Sequence, residues 1–207
     1  MKGRAALAGW ILRRWGWTIS GSKPALPKYV LVASPHSSYW DTPVMLLCAA
    51  HFGIPLRWLG KSQAFRGPLG AVLRRLGGIP VDRAGGNGAV ARTAAAFRAQ
   101  DEMALALAPD GTRRYCDYWR SGFYHLARAA DVPVVLGFQD WGTRRVGIGP
   151  TLRLSGDVRA DMDRLRAFYG GMSGKHPERT SRIRLREEEA GLSAEPSRLS
   201  SPVVPTP

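Results

Sequence analysis

The sequence predicts an α/β fold, a single domain with a mostly parallel central sheet flanked by helices. Two observations lead to it. From Tyr29 to Tyr169, short apolar runs of strand type alternate with stretches of helical pattern, the signature of repeated strand–helix–strand units. The length, 207 residues with 44% hydrophobic content, suits one domain with a sizeable core.

The first segment, residues 1–20, reads as a basic amphipathic helix. Leu7, Trp10, Ile11 and Trp15 fall at helical spacing, and Lys2, Arg4, Arg13 and Arg14 surround them. Such a helix suits the headgroup layer of an anionic bilayer, or packs on the domain; amphipathic spacing alone does not separate the two. The domain proper is expected over residues 21–172.

Tyr29 to Ala33 (YVLVA) is the first apolar strand run. A helix is expected from Thr42–Pro43, with Thr42 as N-cap and Pro43 at the first helical position. Leu56 to Leu59 is a weak strand, and Pro68 to Leu76 a helix stopped by Gly77–Gly78. Ile79 to Asp82 is a strand, Gly88 to Ala99 an alanine-rich helix, and Met103 to Leu107 a strand. Gly122 to Ala130 is a helix and Val132 to Gly137 a strand, with Arg144 to Ile148 a candidate edge strand. Val158 to Tyr169 closes the domain as an amphipathic helix. Residues 173–207, rich in Pro, Ser, Arg and Glu, are expected to form a disordered C-terminal tail.

Charge narrows the function classes. The formal net charge is +14, and about +13 of it lies between Met1 and Gly171. A folded body this basic attracts phosphate, whether on nucleic acid, an anionic membrane or an acidic substrate. RNP aromatics, zinc ligands and helix-turn-helix signals are not evident, so no nucleic-acid partner is expected. Cys48 and Cys116 fit neither a disulfide framework nor a metal-ligand spacing. There is no run of 18 apolar residues and no uninterrupted signal-peptide core. The expected location is cytoplasmic, peripheral to the inner face of the cell membrane.

In this reading the chemically distinctive residues follow the strands, where open α/β sheets bind ligands. YVLVA runs into Ser34-Pro35-His36-Ser37-Ser38-Tyr39-Trp40-Asp41, IPVD into Arg83, and MALAL into Ala108-Pro109-Asp110-Gly111-Thr112-Arg113. A carboxylate on one imidazole nitrogen fixes the tautomer and leaves the other nitrogen free to take a proton from a hydroxyl. His36 and Asp41 are therefore candidate catalytic residues; the bland alternatives are a loop histidine and a helix cap. Arg83 and Arg113 are candidates to clamp phosphate bidentately, against the alternative of solvated charge. Asp110–Gly111 reads innocently as a turn. His51 and His125 fall within helices and read as structural.

The sequence resembles the glycerolipid acyltransferase family, whose best-known members are 1-acylglycerol-3-phosphate acyltransferases, and in particular its short single-domain bacterial members. Four blocks match in order: His36 to Asp41 the H-x4-D motif, Lys61 through Arg83 the second block, Pro109 to Arg113 the P-E-G-T-R block, and Val132 to Val135 the apolar fourth block. The similarity covers about Lys28 to Pro177. It implies that His36 is the general base on the acceptor hydroxyl and that Asp41 orients it. It further implies that Arg83, Arg113 and Lys61 bind the acceptor, along with Asp110, Gly111 and Thr112 of the third block. Asp110 stands where the family has glutamate, one methylene longer.

The resemblance also implies a substrate pair, a lysophospholipid acceptor and an acyl-CoA or acyl carrier protein donor, used at an anionic membrane surface with no cofactor and no metal. Backbone N–H groups beside the motif would hold the oxyanion. Alternative readings are transfer to another lysolipid or glycolipid, thioester hydrolysis, and a non-catalytic basic module binding membrane or nucleic acid.

Overall fold

The computed structural model describes residues 2–81 and 89–192. Arg83 and Asp82 lie outside the described residues, as do residues 193–207. Seven strands form one sheet: β1 (Thr18–Ser20), β2 (Lys28–Ser34), β3 (Leu56–Lys61), β4 (Gly78–Val81), β5 (Met103–Leu107), β6 (Val134–Asp140) and β7 (Arg145–Leu152). Their order is β1-β7-β6-β2-β5-β3-β4, parallel throughout except for the antiparallel β6–β7 pair. β2 is central, paired to β5 on one side and β6 on the other. Its continuous burial from Tyr29 to Ser34 is the reason it reads as an unbroken apolar run.

The helices are α1 (Lys2–Arg14), α2 (Asp41–His51), α3 (Gly67–Arg75), α4 (Ala89–Ala99), α5 (Gly122–Ala129), α6 (Val158–Tyr169) and α7 (Glu187–Leu192). Steps β2–α2–β3 and β3–α3–β4 move one way across the sheet, while β4–α4–β5 and β5–α5–β6 move back. Right-handed crossovers therefore put α2 and α3 on one face and α4 and α5 on the other. The packing agrees. Val30 and Val32 pack with Phe97 of α4 and Phe123 of α5, whereas Tyr29 and Leu31 pack with Ala49 of α2.

Several expectations are corrected. Arg145–Leu152 is not an edge strand, because β1, which the sequence pattern does not mark, pairs outside it. Three residues are too few to show an alternation. α2 begins at Asp41, one residue before the expected cap, and no side chain caps it. α1 does pack on the domain, through Ala8 and Leu12 against Val44 and Cys48, and Gly9 admits the His51 ring, whose Nδ1 lies 3.1 Å from the Ala5 carbonyl. Its predicted apolar stripe faces outward instead, with Leu7 57%, Trp10 58% and Trp15 44% exposed.

The boundary of the tail moves as well. Residues 173–192 belong to the fold, carrying a 3-10 turn over Pro177–Arg179, buried Ser181 and Leu185, and α7. A composition poor in apolar residues hid a segment that needs only one buried leucine, because backbone hydrogen bonds hold the rest. Trp119 N–H donates to Arg184 O and Arg182 N–H to Cys116 O.

Candidate active site

β2 delivers the His36 loop to the carboxyl edge of the sheet, between the ends of β5 and β6. The Ser34–Pro35 peptide is cis, and the Pro35 carbonyl accepts a hydrogen bond from Gln139 Nε2 at the end of β6. The chain then turns through Ser37 to Trp40 and enters α2 at Asp41. That turn brings His36 Nδ1 to 3.2 Å from Asp41 Oδ2. The Asp41 side chain is 1% exposed and that of His36 16%, so the carboxylate is hidden while the ring keeps an edge toward solvent.

A buried carboxylate needs donors, and Asp41 has them. Ser37 N–H (2.8 Å) and Ser38 N–H (2.7 Å) both donate to Oδ2. Trp141 Nε1–H donates to Oδ1 at 2.9 Å. Asp41 thus accepts from the two N–H groups just before α2 and from the distant Trp141 indole rather than capping the helix. The N–H groups of Ser37 and Ser38, inside the motif, are therefore engaged by Asp41.

The third block comes alongside from β5. Gly111 holds φ +65, a left-handed conformation that calls for glycine, and the Arg120 side chain lies against the space a Cβ would take. Asp110 is 2% exposed. Burial raises its pKa, and hydrogen bonds from Ser181 and the His36 backbone N–H, together with the His36 charge, pull it partly back. Its Oδ2 has no hydrogen-bond partner. Thr112 Oγ1 contacts Cys116 Sγ at 3.8 Å. The Arg113 guanidinium lies over the Tyr39 ring at 3.8 Å, across the His36 loop.

His36, Asp41, Asp110 and Arg113 are therefore brought together. Lys61 is exposed at the end of β3, on the same sheet edge but separated from β2 by β5. His125 stays apart, with Nε2 3.2 Å from Glu187.

Sequence reasoning missed residues that reach the pair from later in the chain. Trp141 follows β6, next to β2, so the strand-end rule that marked Asp110 also applies to it; its indole was not recognised as a donor. The Ser173–Ser181 segment carried no such signal. Its His176 N–H donates to Ser37 Oγ at 3.0 Å, and Lys175 Nζ sits 5.2 Å from the Trp40 ring and 5.1 Å from that of Trp141.

The fold matches the crystal structure of the 1-acyl-sn-glycerophosphate (LPA) acyltransferase PlsC from Thermotoga maritima, with a TM-score of 0.56 and 17% identity, over 95% of this chain and 81% of that one. No curated protein sequence matches. The Acyltransferase family model matches residues 7–135, which include the His36–Asp41 loop, β5 and the Asp110–Arg113 turn. The chain belongs to the acyltransferase family.

Proposed function

We propose that the protein moves a fatty acyl chain from a thioester, acyl-CoA or acyl carrier protein, to the free hydroxyl of a lysophospholipid such as 1-acylglycerol-3-phosphate, giving phosphatidic acid in phospholipid biosynthesis. The observation that carries the reading is the imidazole–carboxylate pair, His36 Nδ1 at 3.2 Å from a buried Asp41 that other donors hold in place. With Nδ1 on the carboxylate, Nε2 is the nitrogen left to take the hydroxyl proton. The alkoxide-like oxygen attacks the thioester carbonyl as that proton moves, and the imidazolium forms against Asp41. Collapse of the tetrahedral intermediate expels the thiolate, which takes up the proton. One C–O bond forms, one C–S bond breaks, and neither cofactor nor covalent enzyme intermediate is used.

Arg113 beside the loop, with Arg83 and Lys61, would hold the acceptor phosphate. A long-chain acceptor resides in the bilayer, so the enzyme must dock there. Among the described residues no helix is long and apolar enough to cross a membrane. The outward Leu7 and Trp10 of α1 and Trp15 just after it, with Trp40 of the loop against Trp15 at 6.2 Å, supply an aromatic contact beside His36. The test is acyl release from a labelled thioester with and without acceptor. Release only with a lysophospholipid, yielding the diacyl product, is expected. Release into water without acceptor would make the protein a hydrolase, and no release in either case would leave a binding module.

A further inference from the structure

α3 is exposed along almost its whole length, and Gly70 is its only fully buried residue. Gly70 lets the helix rest on its neighbour, since a Cβ there would lie 2.0 Å from the Phe65 carbonyl oxygen. Trp58 Nε1–H, donating to Leu76 O at 3.0 Å, ties the other end down. The opposite side is apolar. Leu69 is 62% exposed, Val72 53% and, just past the helix, Leu76 47%; positions i, i+3 and i+7 share one face.

Charge identifies what covers that face. Between Leu56 and Val81 the chain has Arg57, Lys61, Arg66, Arg74 and Arg75 and no acidic residue. Among the described residues, Arg66, Arg74 and Arg75 have no acidic partner; Arg74 lies over the Phe65 ring at 5.7 Å. By helical spacing Arg75 flanks the stripe and Arg66 precedes its first turn, while Arg74 falls on the Gly70 side. An apolar stripe flanked by arginines with no acidic partner among the described residues matches a surface that is hydrocarbon in depth and phosphate at its rim. α3 also lies on the same face of the sheet as α2, on which α1 packs: Trp58, which touches α3, belongs to the apolar cluster of Leu31 and Ala49.

We propose that α3 is a second bilayer contact, with Leu69, Val72 and Leu76 among the acyl chains and Arg66 and Arg75 at the phosphates of an anionic lipid surface. It deepens the reading that the acceptor is taken from a membrane and rests on it. Contact through α1 alone is a single patch, about which the body can pivot; a second patch toward the other end of the same layer fixes the sheet's inclination to the bilayer.

The experiment is co-sedimentation of the full chain with vesicles of phosphatidylcholine, with and without 30% phosphatidylglycerol. Each arginine near an anionic surface is worth about fivefold in partitioning. The double variant Arg66→Gln/Arg75→Gln is therefore expected to lose about twenty-five-fold on anionic vesicles and little on neutral ones. Leu69→Asp/Val72→Asp is expected to lose at least tenfold on both. Turnover on a short-chain, water-soluble acceptor should stay within twofold of wild type, which also verifies folding; Arg75→Gln alone, expected to lose about fivefold, serves if a larger variant unfolds. Wild-type binding by these variants overturns the role of α3 and leaves α1 docking standing. Absence of vesicle binding by the wild-type chain overturns membrane docking altogether. A loss confined to turnover with an acyl carrier protein, without vesicles, overturns the lipid occupant in favour of an acidic protein.

Discussion

Trp141→Phe separates one hydrogen bond from the rest of the site. The substitution removes the indole N–H that donates to Asp41 Oδ1 at 2.9 Å and keeps an aromatic ring facing Trp17, now 4.8 Å away edge-on. Asp41 retains Ser37 N–H and Ser38 N–H on Oδ2, so it stays beside His36, but its second oxygen loses its donor. A hydrogen bond to a buried charge is worth about 1.5–3 kcal/mol, which for a chain of this size lowers Tm by about 3–12 °C. Removing the carboxylate's role outright costs about ten-thousand-fold in a comparable triad. Loosening it at one of its oxygens should cost much less, about three- to thirty-fold in kcat, because the effect reaches the reaction only through His36. Steady-state kinetics on a water-soluble acceptor measure this directly: kcat falls and acceptor KM holds, since Trp141 touches no proposed acceptor group. Wild-type kcat in a destabilised variant would show that Trp141 serves the fold alone. A rise in KM with kcat intact would show that it lines the acceptor site.

Three further expectations follow from particular side chains. Arg83→Ala should weaken use of a phosphorylated acceptor by about ten- to a hundred-fold and leave an unphosphorylated analogue unaffected; equal losses on both would exclude a phosphate clamp. Burial of Asp161 opposes its charge, but donors from Ser155, Tyr124 and Gly156 hold its pKa below 3.8. A depressed folded pKa gives stability that is present above the unfolded value and lost as pH falls through the folded one, so wild type should exceed Asp161→Asn in Tm at pH 7 and converge with it under acid; a constant gap would contradict this. Leu185, 1% exposed, anchors the segment after Ser173, so Leu185→Ala should cost about 2–5 kcal/mol in denaturant unfolding, whereas a truly structureless segment would show no change.

The centre of the sheet was legible because β2, β5 and β6 are buried on both faces, and such strands read as unbroken apolar runs: YVLVA and MALAL lie within or coincide with β2 and β5. The pairing of His36 with Asp41 was legible because both sit in one loop at a strand end. What sequence reading could not supply was contact across long separations. Trp141 lies a hundred residues from Asp41, and neither residue's neighbourhood in sequence mentions the other. Ser181 reaches Asp110 from a segment whose composition argued against any core. The orientation of α1 stayed open for a different reason. A helix with apolar residues on two sides does not declare which side faces the domain, and here the small residues Ala8 and Gly9 let it approach α2 while the tryptophans turn away.

The central claim is that His36 takes the proton from a lipid hydroxyl during acyl transfer. Its most direct test is single-turnover formation of diacyl product from a labelled acyl thioester and a lysophospholipid, for wild type and His36→Ala at equal folded concentration. The account predicts acceptor-dependent product with wild type, and a loss of at least a hundredfold with His36→Ala while acceptor binding persists. Product formed by His36→Ala at the wild-type rate would contradict it.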